Sequence, residues 1–168
     1  METQIGNLLS ENNFTLSVAE SCTAGGIASR ICSVAGSSNY FMGGVISYSN
    51  ESKIRELNVK LADIEKYSAV SNQVASQMSV AVREKFNTDF SVSTSGYTGP
   101  SGKEVGKVFI SVSTPEKVTV KEYFFKGNRS EICQQVILES LRILLLEIKL
   151  KKILINKRNY LYLRPQNK

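Results

Sequence analysis

The spacing of apolar residues along the chain alternates between a helical period and short buried runs, and this alternation predicts the elements. Ile5, Leu8 and Leu9 share one face of a short amphipathic helix over residues 2–12, and the run 15–19 suits a buried strand. The connection Glu20-Ser21-Cys22-Thr23 is tight. Ile27, Ile31 and Val34 then mark a helix over 24–34, although Gly25 and Gly26 lower its intrinsic propensity. Residues 43–48 read as a second strand. Ser49-Asn50-Glu51-Ser52 follows as an N-cap signature for a helix to about Leu57, with Lys53 in its first turn. Val74, Met78, Val82 and Phe86 recur every fourth residue and predict a helix over 71–86, ahead of a third strand over 89–94. The segment from Ser95 to Gly102 is rich in turn residues and cannot continue that strand. Residues 105–113 and 117–125, joined at Thr114-Pro115-Glu116, predict an antiparallel pair. A helix from Arg129 to about Lys149 closes the domain, with Ile132, Val136, Leu141 and Leu144 at its apolar positions.

Strands and helices alternating over most of the length, with one late hairpin, predict an α/β fold: a three-layer α/β/α sandwich with a mixed, mostly parallel sheet. Ligands in such sheets collect at the carboxyl ends of the parallel strands. The segments after Ala19, Tyr48 and Thr94 leave such ends, so Ser21, Lys53 and the Ser95 to Gly102 loop are expected to converge.

Composition adds boundaries. The 168 residues, 42% hydrophobic and 21% charged, suit one globular domain over 1–148 followed by a basic tail, 149–168. The tail holds seven basic residues and no acidic one, which exceeds the net charge of +6 and leaves residues 1–148 near neutral. Such tails bind polyanions weakly and without specificity, so no specific nucleic-acid partner is expected. The first residues show neither a basic n-region nor an apolar h-region, and the apolar stretch 136–155 is interrupted by Glu139, Arg142, Glu147, Lys149, Lys151 and Lys152. The expectation is a cytoplasmic protein with no membrane partner.

Three cysteines without CxxC spacing (Cys22, Cys32 and Cys133), in a chain with no histidine, predict reduced thiols and no structural metal. The lack of histidine also removes Ser-His-Asp and Cys-His chemistry, so a general base must be Lys, Asp, Glu, Tyr or a water they hold. Ser21, in a strand-to-helix turn, is placed for attack beside backbone N–H groups, and the same position also suits a plain N-cap. Lys53 feels the positive end of its helix dipole, which lowers a lysine pKa, but it also reads as a solvated surface residue. Tyr48 could relay a proton or hold a substrate hydroxyl. The glycines of the Ser95 to Gly102 loop allow close approach of a phosphate, and Arg129 offers a bidentate grip on one. Each has an equally plain structural use, as a turn and as a surface ion pair. Cys22, next to Ser21, reads as a buried inert thiol.

Read together, Ala19-Glu20-Ser21-Cys22-Thr23-Ala24-Gly25-Gly26, Ala35-Gly36-Ser37-Ser38 with Phe41, Tyr48-Ser49-Asn50-Glu51-Ser52-Lys53, Ala69-Val70-Ser71, Ser95-Gly96-Tyr97-Thr98-Gly99-Pro100 and Gly127-Asn128-Arg129 resemble the C-terminal domain family of the competence/damage-inducible protein CinA, in order, over about residues 3–147. That domain also occurs alone as nicotinamide mononucleotide amidohydrolase. The resemblance implies an α/β/α sandwich like the anticodon-binding domains, and hydrolysis of the nucleotide carboxamide to the nicotinic acid nucleotide and ammonia, without cofactor or metal. It carries Ser21 over as nucleophile and Lys53 as general base, with Tyr48 beside them. Backbone amides near Thr23 and Ala24 become the oxyanion donors, and Ser38, the Ser95, Gly96 and Gly99 loop and Arg129 the nucleotide contacts. It also implies a tendency to dimers. The chain departs from the family pattern at Tyr97, Thr98 and Ser101 and in a shorter loop at Lys103-Glu104. Two other readings are a catalytically silent nucleotide-binding or regulatory module and an accessory DNA protein acting through the basic tail.

Overall fold

The computed structural model describes residues 1–102 and 104–162. Its elements are α1 (Glu2–Glu11), β1 (Leu16–Glu20), α2 (Gly26–Cys32), a 3-10 turn (Ser37–Asn39), β2 (Phe41–Ile46), α3 (Asn50–Leu57), α4 (Leu61–Tyr67), α5 (Asn72–Phe86), β3 (Phe90–Gly96), β4 (Lys107–Ser113), β5 (Val118–Phe124) and α6 (Arg129–Tyr162). The five strands form one sheet in the order β2-β1-β3-β4-β5. β1 pairs in parallel with β2 and β3, while β4 runs antiparallel to both β3 and β5. Four strands thus point the same way, although only two of the four pairings are parallel.

Period-two alternation assigns the two faces of the sheet. Leu16, Val18, Phe90, Val92, Val108, Ile110 and Val112 turn to the layer of α1, α2 and α6, where Ile5, Leu9, Ile27, Val136 and Leu144 complete the larger core. Ala19 turns to the other layer with Leu57, Ile64, Val74, Met78 and Val82 of α3, α4 and α5. On that second face β3 carries serines rather than aliphatics. The hydroxyls of Ser91, Ser93 and Ser95 donate to the carbonyls of Ser79 (2.6 Å), Ala75 (2.6 Å) and Ala69 (2.7 Å). Small side chains let α5 settle close to the strand, and each buried hydroxyl finds an acceptor. The row of hydroxyl bonds runs along β3 to its carboxyl end, where the pocket lies.

Three expectations shift. The helix after Ser21 begins at Gly26 rather than residue 24, because Ala24 (φ 50°) and Gly25 (φ 96°) are left-handed. The short helix α4, with Ile64 its only buried residue, carried too little periodicity to be seen. α6 runs on to Tyr162 without a break, past the helix end expected at about Lys149. No glycine or proline interrupts the sequence between Arg129 and Tyr162, and Lys152 Nζ ties the extension to Glu11 Oε2 at 3.3 Å. No helix among the described residues is long and apolar enough to cross a membrane.

Candidate active site

β1 delivers Ser21 at its carboxyl end, where the Ser21 N–H donates to Thr94 O (3.1 Å) and extends the ladder with β3 by one residue. The chain then turns sharply: Ala24 N–H donates to Ser21 O and Gly26 N–H to Thr23 O. Glu20, fully buried, holds this turn from behind. Its Oε2 accepts from Gly25 N–H (3.0 Å) and Ile27 N–H (3.1 Å), and its Oε1 from Ala28 N–H (2.8 Å). A carboxylate here supplies the acceptors that the first turn of α2 lacks and sits at the positive end of its dipole. The sequence reading gave Glu20 no role. The signal was a carboxylate ending an otherwise apolar buried strand just ahead of a helix.

These bonds settle which amides can serve a ligand. Ala24, Gly25, Gly26, Ile27 and Ala28 all spend their N–H groups on the turn. Cys22 and Thr23 have no acceptor for theirs among the described residues. The amides left free to meet a developing negative charge are therefore those of Cys22 and Thr23, whereas the expectation named Thr23 and Ala24. The Thr23 side chain is not part of the pocket wall, because its hydroxyl pairs with Thr94 Oγ1 at 2.8 Å.

Lys53 reaches the same point from α3. Ser49 caps that helix by accepting from Ser52 N–H (3.1 Å), and the lysine side chain folds back beneath the β2–α3 connection until it is only 2% exposed. Its Nζ lies 3.0 Å from Ser21 Oγ, 2.9 Å from Ser47 O and 3.1 Å from Tyr48 O. Burial pushes its pKa below the ordinary lysine value. The two carbonyls can only accept, so they take two N–H bonds in either protonation state. The third direction points at a hydroxyl that can accept from the ammonium or donate to the neutral amine. The neighbouring Cys22 thiol is pushed up to about 12 by burial, which keeps it protonated and inert, as its sequence setting suggested.

A pocket of about 280 Å³ opens over the pair, walled by Ala69 and Val70, by the β3–β4 loop and by Tyr48 and Arg129. Ser95, Gly96 and Gly99 line it as expected. Ser95 contributes backbone position rather than a free hydroxyl, since that group is bonded to Ala69 O. Gly96 is required because a Cβ there would lie 2.5 Å from Val108 Cγ2 and 2.9 Å from Lys107 O. Arg129 opens α6 and joins two loops, donating to Gly99 O and to the Tyr48 hydroxyl, each at 2.6 Å. Tyr97 braces the far wall through its hydroxyl, 2.9 Å from Ser68 Oγ.

Two expected site residues stand differently. The Tyr48 phenol is bonded to Arg129, not to Ser21 or Lys53, and the atom that reaches Lys53 is its backbone carbonyl. Ser38 lies in the 3-10 turn that leads into the amino end of β2, whereas the dyad sits past the carboxyl end of the same strand. It is exposed and does not join the pocket. Among the described residues no group of three or more cysteine, aspartate and glutamate side chains is placed to hold a metal ion.

Comparison with known proteins identifies the family and the fold. The CinA C-terminal domain family matches residues 1–148. The CinA-like protein of Flavobacterium psychrophilum is 41% identical over 152 residues, covering 88% of this chain and 36% of its own length. That of Acaryochloris marina is 46% identical over 127 residues, covering 73% of this chain and 30% of its own. The chain thus spans about a third of the length of these relatives. Among solved structures, the competence or damage-inducible protein of Enterobacter asburiae superposes with a TM-score of 0.85 at 26% identity, covering 88% of this chain and 95% of that one. A CinA superfamily protein of Escherichia coli gives 0.77 at 28%, covering 87% and 92%. The chain belongs to the CinA C-terminal domain family.

Proposed function

We propose that this domain is a serine amidohydrolase that cleaves the carboxamide of nicotinamide mononucleotide, giving the nicotinic acid nucleotide and ammonia. The observation that carries the reading is the Lys53 amine, buried, lowered in pKa and 3.0 Å from Ser21 Oγ. Neutral Lys53 takes the Ser21 proton as Oγ forms a bond to the carboxamide carbon. The developing oxyanion is met by the N–H groups of Cys22 and Thr23. The Lys53 ammonium then returns the proton to the amide nitrogen, the C–N bond breaks and ammonia leaves an acyl-Ser21. Water, deprotonated by the same amine, attacks the acyl carbon, and Ser21 departs with its proton restored. Arg129, at the rim, has N–H groups left beyond those given to Gly99 and Tyr48 and can accept the 5'-phosphate, so that binding far from the reacting carbon orients the amide.

The test is ammonia release from nicotinamide mononucleotide by the purified protein beside Ser21→Ala and Lys53→Met. Wild type releases ammonia and both variants do not. A wild type that binds the nucleotide but releases none makes the domain a binding module and overturns the proposal.

A further inference from the structure

α6 is 34 residues long, and its last turns carry apolar side chains on two sides. One side faces the body of the protein. Leu144 and Ile148 are buried, Ile155 packs on the same core, Lys152 reaches Glu11 and Lys151 is paired with Glu116. The opposite side is not covered by any described residue. Leu146 is 43% exposed, Leu150 47%, Ile153 51% and Leu154 64%, and Lys157 follows at the next helical position. Spacings of four, three and four residues put these on one stripe along the axis. Lys149 and Lys157 are exposed beside it and form no ion pair among the described residues. The family match ends at residue 148, so most of the stripe lies beyond the matched residues.

Charge decides what can cover it. From Ile148 to the end of the chain there is no aspartate or glutamate. A second copy laid on the stripe would bring Lys149 and Lys157 toward their own counterparts with no carboxylate of this segment between them. A nucleic acid would meet the lysines but leave four aliphatic side chains against phosphate and sugar. An anionic lipid surface accepts both, with the aliphatics entering the acyl boundary and the lysines lying at the headgroups. The helix is too polar to span a bilayer, and it is fixed to the body by two ion pairs on its other side, which leaves it lying along the surface. We propose that the exposed face of α6 over residues 146–157 docks this domain onto anionic membrane. Leu150 is roughly 30 Å along the helix from Arg129, so the stripe and the pocket use separate stretches of α6.

The experiment is co-sedimentation of the full chain with vesicles of phosphatidylcholine alone and with about a third of the lipid replaced by phosphatidylglycerol. Binding is expected to the second only and to weaken as salt rises. Leu150→Asp with Ile153→Asp abolishes it, and Lys149→Gln with Lys157→Gln reduces it about tenfold. Both pairs of positions are exposed, and unchanged thermal melting confirms that the variants are folded. Equal binding to neutral vesicles overturns the proposal, as does absence of binding to either. A dimer in sedimentation equilibrium that Leu150→Asp with Ile153→Asp converts to monomer, without vesicle binding, assigns the stripe to self-association instead.

Discussion

Lys53 Nζ meets Ser21 Oγ at 3.0 Å, and the other two partners of the amine are the carbonyls of Ser47 and Tyr48. As the base of the proposed reaction, Lys53 needs a lone pair, not merely a charge. Lys53→Arg should therefore be as inactive as Lys53→Met, because a guanidinium stays protonated at any working pH. Losses of about 10⁴-fold or more in kcat are expected for Ser21→Ala and for both Lys53 variants, with the double variant hardly worse than either single one, since the two residues act as a unit. Steady-state ammonia release checks this. An active Lys53→Arg enzyme would show that the lysine serves only as a positive charge.

Burial lowers the Lys53 pKa, and this predicts two pH effects of known sign. kcat/KM rises with pH along a limb centred below about 10.4, the ordinary lysine value. Stability moves the same way. Between the lowered native value and about 10.4 the unfolded chain binds the extra proton, so unfolding becomes harder as pH rises through that window. Below it, lysine is charged in both states and the native state carries the full desolvation cost. Urea unfolding of wild type and Lys53→Met across this range isolates the contribution. The wild type should gain on the variant with rising pH, and a constant gap would mean that the native pKa is not depressed.

The Glu20 carboxylate bonds to neither the Ser21 hydroxyl nor the Lys53 amine, yet its two oxygens hold three N–H groups of the turn that leaves the Cys22 and Thr23 amides unspent. Glu20→Ala strands those donors at a buried helix start and should cost about 3 kcal/mol or more. Glu20→Gln, which keeps one acceptor oxygen, should cost about 1–2 kcal/mol. Because the turn places amides rather than binding the nucleotide, kcat should fall with KM little changed. Denaturant titration and steady-state kinetics on the two variants separate these effects. A KM effect with unchanged kcat would take Glu20 out of the oxyanion geometry.

Gly106 closes the pocket loop. Its N–H donates to Tyr97 O (2.7 Å), its O accepts from Phe125 N–H (2.9 Å), and its φ is +95°. A Cβ there would stand 2.0 Å from Phe125 O, in a backbone region that side chains disfavour. Gly106→Ala is expected to destabilise the domain by about 3 kcal/mol or more, as for other steric conflicts at special backbone positions. A melting temperature within a degree or two of wild type would contradict the geometry.

What the sequence disclosed follows what each signal depends on. The strands and most helices were legible because burial imposes a period on them. α4 was not, since it buries one side chain and so prints no period. Ser21, Lys53, Gly99 and Arg129, expected to converge from their type and order, do line one pocket. What their atoms touch was not legible, because it depends on the turn: Ala24 spends its N–H on Ser21 O, and Tyr48 turns its phenol to Arg129. Ser38 is the reverse case. A motif match carries no information on which end of β2 a residue occupies, and the structure puts it at the amino end, away from the pocket. Ser91 and Ser93 of β3 would be taken for a polar strand in any sequence pattern, because the carbonyls they satisfy lie on α5.

Arg129 provides the sharpest test of where the nucleotide lies. Two of its five N–H groups are spent on Gly99 O and the Tyr48 hydroxyl, which fixes the guanidinium plane at the rim and leaves three for a phosphate. Removing it with Arg129→Ala should lower kcat/KM for the nucleotide about 10- to 100-fold, the range of a lost charge-assisted contact. The same variant should treat the corresponding riboside, which has no phosphate, much as wild type does. The comparison separates binding from scaffolding, because loss of the Gly99 and Tyr48 tethers alone would depress both substrates equally. Arg129→Lys keeps the charge but cannot bridge the two loops and face the phosphate at once, so it should recover only part of the discrimination. Equal losses on nucleotide and riboside for both variants would move the phosphate site elsewhere on the pocket rim.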